Sequence, residues 1–164
     1  MGVPASKGGM YKNHVGTFFP QHPEKFMGTN HSPQYKSTLE RATMSALDKS
    51  PAVVQWCYEK TIIRYKNPIK GGVHNYYIDF TAVVKDGNGL LHKILIETKS
   101  FHETQPPEKP ANLLTEKQRV NYQRACEVYV QNQAKWAAAR DFAKQHGYDF
   151  IVVTERNLGC LNPY

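Results

Sequence analysis

At 164 residues, 40% of them hydrophobic, the chain has the length of one domain and enough apolar material for a single core, which argues against a second independent unit. It has no apolar run of about 18 residues and no apolar segment of secretory type at its start, and its three cysteines, Cys57, Cys126 and Cys160, form no CxxC pair. A spanning helix, a signal peptide, a disulfide framework and a cysteine zinc site are therefore not expected, and a soluble intracellular protein is. Lys plus Arg number 21 against 14 Asp plus Glu, a net charge of +7 with a pI near 9.3, which favours a polyanionic partner through counterion release.

Residues 1–35 mix Gly, Pro, Asn, His and Lys without helical or alternating periodicity and read as an irregular N-terminal arm or solvated tail, ordered on a partner; residues 36–164 read as the folded domain. Ser37 is a candidate N-cap for a helix whose apolar positions are Leu39, Ala42, Met44, Ala46 and Leu47, with Glu40 in the first turn and Pro51 beyond its end. Val53–Cys57 and Thr61–Tyr65, rich in β-branched and aromatic residues, read as one interrupted strand. The runs His74–Lys85 and Leu90–Lys99 flank Asp86-Gly87-Asn88-Gly89, a sequence suited to a tight hairpin. Ser100–Pro110 holds three prolines, so a loop leaves that second strand and is expected to border whatever site the strand carries. Thr115 and Gln118 resemble a capping box opening a helix through Val120, Ala125 and Val128. A second helix from about Asn132 places Trp136, Ala139 and Ala143 on one stripe and ends at Gly147. Phe150–Val153 is a continuous apolar run, as a buried strand reached by a helical crossover requires. The expected fold is α/β, with a mixed central sheet in the order helix, three antiparallel strands, helix, strand, plus the arm and an added helix.

Two of those strands carry charges that apolar surroundings make expensive. Asp79 lies within Tyr76-Tyr77-Ile78-Asp79-Phe80, and Glu97 and Lys99 end the run Ile94–Lys99. Alternation along a strand turns Glu97 and Lys99 to one face and Ile96 and Thr98 to the other. Asp79 and Glu97 on neighbouring strands can share a hard divalent cation such as Mg²⁺, which takes one or two carboxylates and keeps several waters; Mn²⁺ can substitute, with one or two ions bound. Lys99 can hold and activate an attacking water. Glu40 can bind a second cation or orient a water, and it also suits the positive end of its own helix. Glu59, on the first strand segment, can take the place of Glu40 in this set but reads rather as an edge residue, and His92 and His102 are minor candidates for phosphate contact.

The series Glu40, Asp79 and Glu97-Thr98-Lys99 on helix, strand and strand resembles the PD-(D/E)XK nuclease superfamily, with Ile78-Asp79 where many members have Pro-Asp. A narrower resemblance, to the head completion nuclease family of T4-like tailed phages, covers almost the whole chain. It is carried by Phe18-Phe19-Pro20, Pro23-Glu24-Lys25-Phe26, Trp56, Glu59, Glu103-Thr104-Gln105-Pro106-Pro107-Glu108-Lys109-Pro110-Ala111, Lys135-Trp136-Ala137-Ala138-Ala139 and Val153-Thr154-Glu155. The resemblance implies a restriction-endonuclease-like core and Mg²⁺-dependent hydrolysis of double-stranded DNA in the virion and host cytoplasm. It also implies portal or neck proteins of a phage head as further partners, and no membrane. A connector protein with an idle nuclease site, or a junction-resolvase or restriction-type enzyme, are the readings set against it.

Overall fold

The structure is a computed structural model describing residues 14–112 and 115–161; the first thirteen positions of the expected arm, with Tyr11 and Lys12, lie outside the described residues. The described part of the arm is laid on the core. Strands β1 (Gly16–Thr17) and β2 (Gln34–Tyr35) pair antiparallel, and a 3-10 turn spans Pro23–Lys25 between them. The Phe26 ring packs on Trp56 at 4.6 Å between centroids. The buried carboxylate of Asp48 accepts the backbone N–H groups of Gln21 (2.8 Å) and His22 (3.2 Å). Residues 14–35 are thus no free tail: two aromatic rings and one buried acid, each unremarkable locally, fasten the segment through long-range contacts.

Helix α1 (Thr38–Lys49) opens at Ser37, whose Oγ accepts the Glu40 N–H (3.1 Å), and buries Thr43, Met44, Leu47 and Asp48, the i, i+1, i+4, i+5 stripe of one helical face. Strands β3 (Val53–Tyr58), β4 (Ile62–Lys66), β5 (Val73–Tyr77), β6 (Phe80–Lys85) and β7 (Leu91–Thr98) follow. The central sheet has the order β3-β6-β7-β8, antiparallel except for the parallel β7–β8 pair, where β8 is Tyr148–Val153. The hairpin between β6 and β7 is the expected one: the Asp86 carboxylate accepts the N–H groups of Asn88 and Leu90, and Gly89 adopts a φ of 86°.

The run expected as one interrupted strand is two strands in different sheets, and so is His74–Lys85. Strands β4 and β5 leave the central sheet as a separate two-stranded ribbon. The ladder breaks because Tyr58 pairs with Phe80 while Ile62 pairs with Tyr77, so four steps on one side oppose three on the other. This bulge is spanned by hydrogen bonds from Glu59 N to Asp79 O (2.9 Å) and from Ile78 N to Thr61 O (3.0 Å). Glu59 absorbs the extra residue at a φ of 48°, a left-handed conformation that side chains other than glycine rarely adopt.

After the short helix α2 (Phe101–Thr104), which interrupts the expected loop, α3 runs unbroken from Glu116 to His146 where two helices were expected. The polar run Gln131-Asn132-Gln133 suggested a break, yet Gln131 donates to the Tyr65 hydroxyl (2.8 Å) and Asn132 is buried, so tertiary contacts carry the helix through. Both ends are as expected: a capping box joins Thr115 and Gln118, and Gly147 closes the helix with a φ of 70°. Val120 and Val128 are exposed, and only the second half of α3 covers the sheet. Two cores result. Met44, Leu47, Trp56, Phe80, Val84, Ile94 and Ile96 fill the space under α1, while Ile63, Tyr65, Tyr76, Ile78, Leu95, Trp136 and Ala139 pack between the ribbon, the sheet and α3. Among the described residues no helix is long and apolar enough to cross a membrane.

Candidate active site

Asp79 occupies the break where the chain passes from ribbon to sheet, so its position follows from the bulge opposite it. The β6–β7 ladder pairs Phe80 with Ile96, and the same register carried one residue further sets Asp79 across from Glu97 at the C-terminal end of β7. Asp79 Oδ2 accepts both the backbone N–H and the hydroxyl of Thr98, each at 2.7 Å. Burial raises the Asp79 pKa and the negative charge of Glu40 adds to that, while the two Thr98 bonds and the Lys99 charge oppose it.

Glu97 is 4% exposed. Its Oε2 accepts the Tyr76 hydroxyl (2.8 Å), and its Oε1 lies 3.7 Å from Lys99 Nζ. Burial pushes its carboxyl up to about 7, with the Asp79 charge acting in the same direction and Lys99 against it. Strand alternation thus delivers what the spacing required: the acid and the amine share a face.

Glu40 reaches the same end of the sheet from the first turn of α1. Its Oε2 accepts the Tyr58 hydroxyl (2.9 Å) and the Lys36 N–H (2.7 Å), and its charge bears on Asp79. All four sequence-derived residues therefore belong to one electrostatic neighbourhood. Among the described residues no group of three or more His, Cys, Asp or Glu side chains is gathered to hold an ion by protein ligands alone. Asp79 and Glu97 are the close pair, and Glu40 stands at their margin.

Other members had no comparable signal in the sequence. Tyr58 and Tyr76 clamp the two glutamates, and burial, then the partner carboxylate, raises the pKa of each hydroxyl and keeps it a donor. Lys36 pairs with Glu59, and that hydrogen bond is the main cause of its raised pKa. Lys135 of α3 sits 5.4 Å from the Tyr76 ring centroid and helps hold the Glu97 pKa down. Its trace in the sequence is its place at the head of Lys135-Trp136-Ala137-Ala138-Ala139, one of the runs that carry the family resemblance.

His92 lies at the far end of β7 from Glu97, with Nε2 2.8 Å from Asp86. His102, Pro106 and Pro107 line a cavity of about 590 Å³ against Gln118, Tyr122 and Ala125 of α3; none of Glu40, Asp79, Glu97 or Lys99 lines it. The site's own groups can do two things: the buried Glu97 and the half-buried Asp79, both with raised pKa values, gain from a bound cation, and Lys99 can donate to an anion or a water beside them.

The chain is similar to proteins named for nuclease activity. Residues 50–155, from the end of α1 to just past β8, match the model of the TnsA-like endonuclease N-terminal family. The chain is also similar to the "Head completion nuclease" of Enterobacteria phage T4, with 32% identity over 146 residues that cover 89% of this chain and 94% of the relative.

Proposed function

This chain belongs to the TnsA-like endonuclease N-terminal family, with its restriction-endonuclease-like fold, and from that premise we propose that it is a divalent-metal-dependent nuclease of double-stranded DNA acting in phage head completion. The observation that carries the reading is the placement of Asp79, one residue before the Phe80–Ile96 pair, where its charge bears on Glu97, with Lys99 Nζ 3.7 Å from Glu97.

The donor set fits Mg²⁺ or Mn²⁺. Hard carboxylate oxygens, two of them from side chains whose burial disfavours unpaired charge, match an ion that takes one or two carboxylates and fills its remaining positions with waters and substrate phosphate. Asp79 and Glu97 would hold it, and Glu40 would hold a second ion or orient a water. Bound there, the cation supplies positive charge against the negative charge that develops on the phosphate in the transition state. Thr98 fixes the Asp79 carboxylate through two hydrogen bonds, and Tyr76 fixes that of Glu97. Lys99 donates to the attacking water, aligns it with phosphorus and favours its hydroxide form by charge.

In the wider setting, the product of head completion is a filled head able to accept a tail. Portal or neck proteins are the partners this role requires, and the virion and infected host cytoplasm are the places where it acts. The test is incubation of the purified protein with duplex DNA with and without Mg²⁺. Cleavage that needs the metal and falls at least about 100-fold in Asp79→Ala, Glu97→Ala and Lys99→Ala supports the reading. Cleavage that survives these substitutions overturns the mechanism. Phage complementation with Glu97→Ala addresses the biology: an unchanged yield of infectious particles would mean that the nuclease site is idle there.

A further inference from the structure

From Ile62 to Tyr77 the ribbon carries Arg64, Lys66 and Lys70 and not one Asp or Glu, gathering three positive charges of a molecule of net +7. Alternation sorts the ribbon's side chains. Ile63, Tyr65, Tyr76 and Ile78 face inward and are buried against α3, while Arg64 and Lys66 of β4 and Asn75 and Tyr77 of β5 face solvent, Arg64 directly opposite Asn75. Among the described residues no acidic side chain forms an ion pair with Arg64, Lys66 or Lys70, whereas the nearby Lys36 is taken up by Glu59.

The ribbon is also stiff. Its turn is organised by Asn67, 4% exposed, whose Oδ1 accepts the N–H groups of Ile69 and Lys70 and whose Nδ2 donates to the Tyr65 hydroxyl. Tyr65 is in turn gripped by Gln131 of α3. A basic face held in one conformation before binding loses little entropy on binding.

Its direction matters most. Strand β5 runs from the turn straight into Asp79, so a ligand lying along the ribbon ends at the paired carboxylates. From Val73, opposite Lys66, to Asp79 is six residues, about 20 Å of strand, which matches about six base pairs of duplex. A two-stranded ribbon is also of a size that the major groove of B-DNA admits.

We infer that the outer face of the β4–β5 ribbon, through Arg64, Lys66 and Lys70, is the surface that grips the duplex on one side of the scissile phosphate. This rests on the nuclease reading above and adds to it the element that holds the substrate. None of the three residues touches the reacting groups, so they govern binding and leave the chemical step alone.

The experiment measures binding of the full chain to a fluorescein-labelled duplex by anisotropy, without divalent metal so that nothing is cut, across a range of salt concentrations. Arg64→Gln/Lys66→Gln is expected to weaken binding about tenfold at moderate salt and to reduce the slope of log K against log salt by about 1.8, at about 0.9 per lost contact. Lys70→Gln alone is expected to reduce it by about 0.9, and serves as the second variant should the double variant melt at a lower temperature. Lys117→Gln/Lys144→Gln, which removes two exposed charges from α3, is the control and is expected to change binding less than twofold. With Mg²⁺, the ribbon variants are expected to raise KM and keep kcat. An unchanged affinity and slope in the ribbon variants, an equal loss in the control, or a loss confined to single-stranded DNA overturns the inference while cleavage by the parent protein leaves the nuclease reading standing. A parent protein that neither binds nor cuts duplex DNA removes that reading, and this one with it.

Discussion

Glu97 gives the site its pH behaviour. In the metal-free protein its carboxyl titrates near 7 against an ordinary 4.5, so between those values the folded state keeps a proton that the unfolded chain gives up. Its contribution to stability is therefore complete below about 4.5 and lost as pH rises to 7, at up to about 1.4 kcal/mol per pH unit, and the raised pKa of Asp79 acts with the same sign. Glu97→Gln keeps an acceptor for Tyr76 and removes the titration. Thermal melts without metal are expected to show this variant more stable than the parent at pH 8, with a flatter pH profile, and with a smaller gain when Mg²⁺ is added. Equal profiles for the two proteins would contradict the burial argument. Asp79, Glu97 and Lys99 were legible in the sequence because a charge among Tyr, Ile and Phe is costly and strand alternation states which charges share a face. Tyr76, Thr98 and Lys135 were not, because a tyrosine or threonine in a strand and a lysine on a helix look ordinary until the fold brings them to a carboxylate.

The elements differ in how much local chemistry specifies them. The ends of α3 rest on a capping box and a left-handed glycine, both visible as Thr115, Gln118 and Gly147. Thr115→Ala is expected to cost about 1 kcal/mol by denaturant unfolding. Gly147→Ala is expected to cost about as much through backbone conformation alone, since an added Cβ would meet nothing within 4 Å. The split between ribbon and sheet had no such signal. It depends on Glu59 in a left-handed conformation, where Asn or Gly would have announced a bend and Glu does not. Glu59→Val, β-branched at that φ and without the ion pair to Lys36, is expected to destabilise by about 2 kcal/mol and to reduce cleavage as well, because the bulge and Asp79 are joined by the Glu59 N to Asp79 O bond. A stable, fully active variant would disconnect the bulge from the site.

At the scale of the molecule, α1, a mixed central sheet and a helical crossover to β8 are expected from periodicity, whereas the attachment of residues 14–35 is not. Their contacts to Trp56 and Asp48 cross more than 20 positions of sequence, and no local pattern encodes them. Removal of residues 1–35 is therefore expected to lower stability by at least about 3 kcal/mol in thermal or denaturant melts, from lost aromatic packing and from a buried carboxylate stripped of its donors. A truncated chain as stable as the parent would return the segment to the status of a tail. The chain's two tryptophans fall in different cores, Trp56 beneath α1 and Trp136 on α3, packed with the ribbon residues Ile63, Tyr65 and Tyr76. Its intrinsic emission is thus a pair of independent lamps, and replacing either by phenylalanine leaves a probe that lights one half of the interior, so whether the halves come apart together or in turn can be read directly from two unfolding curves.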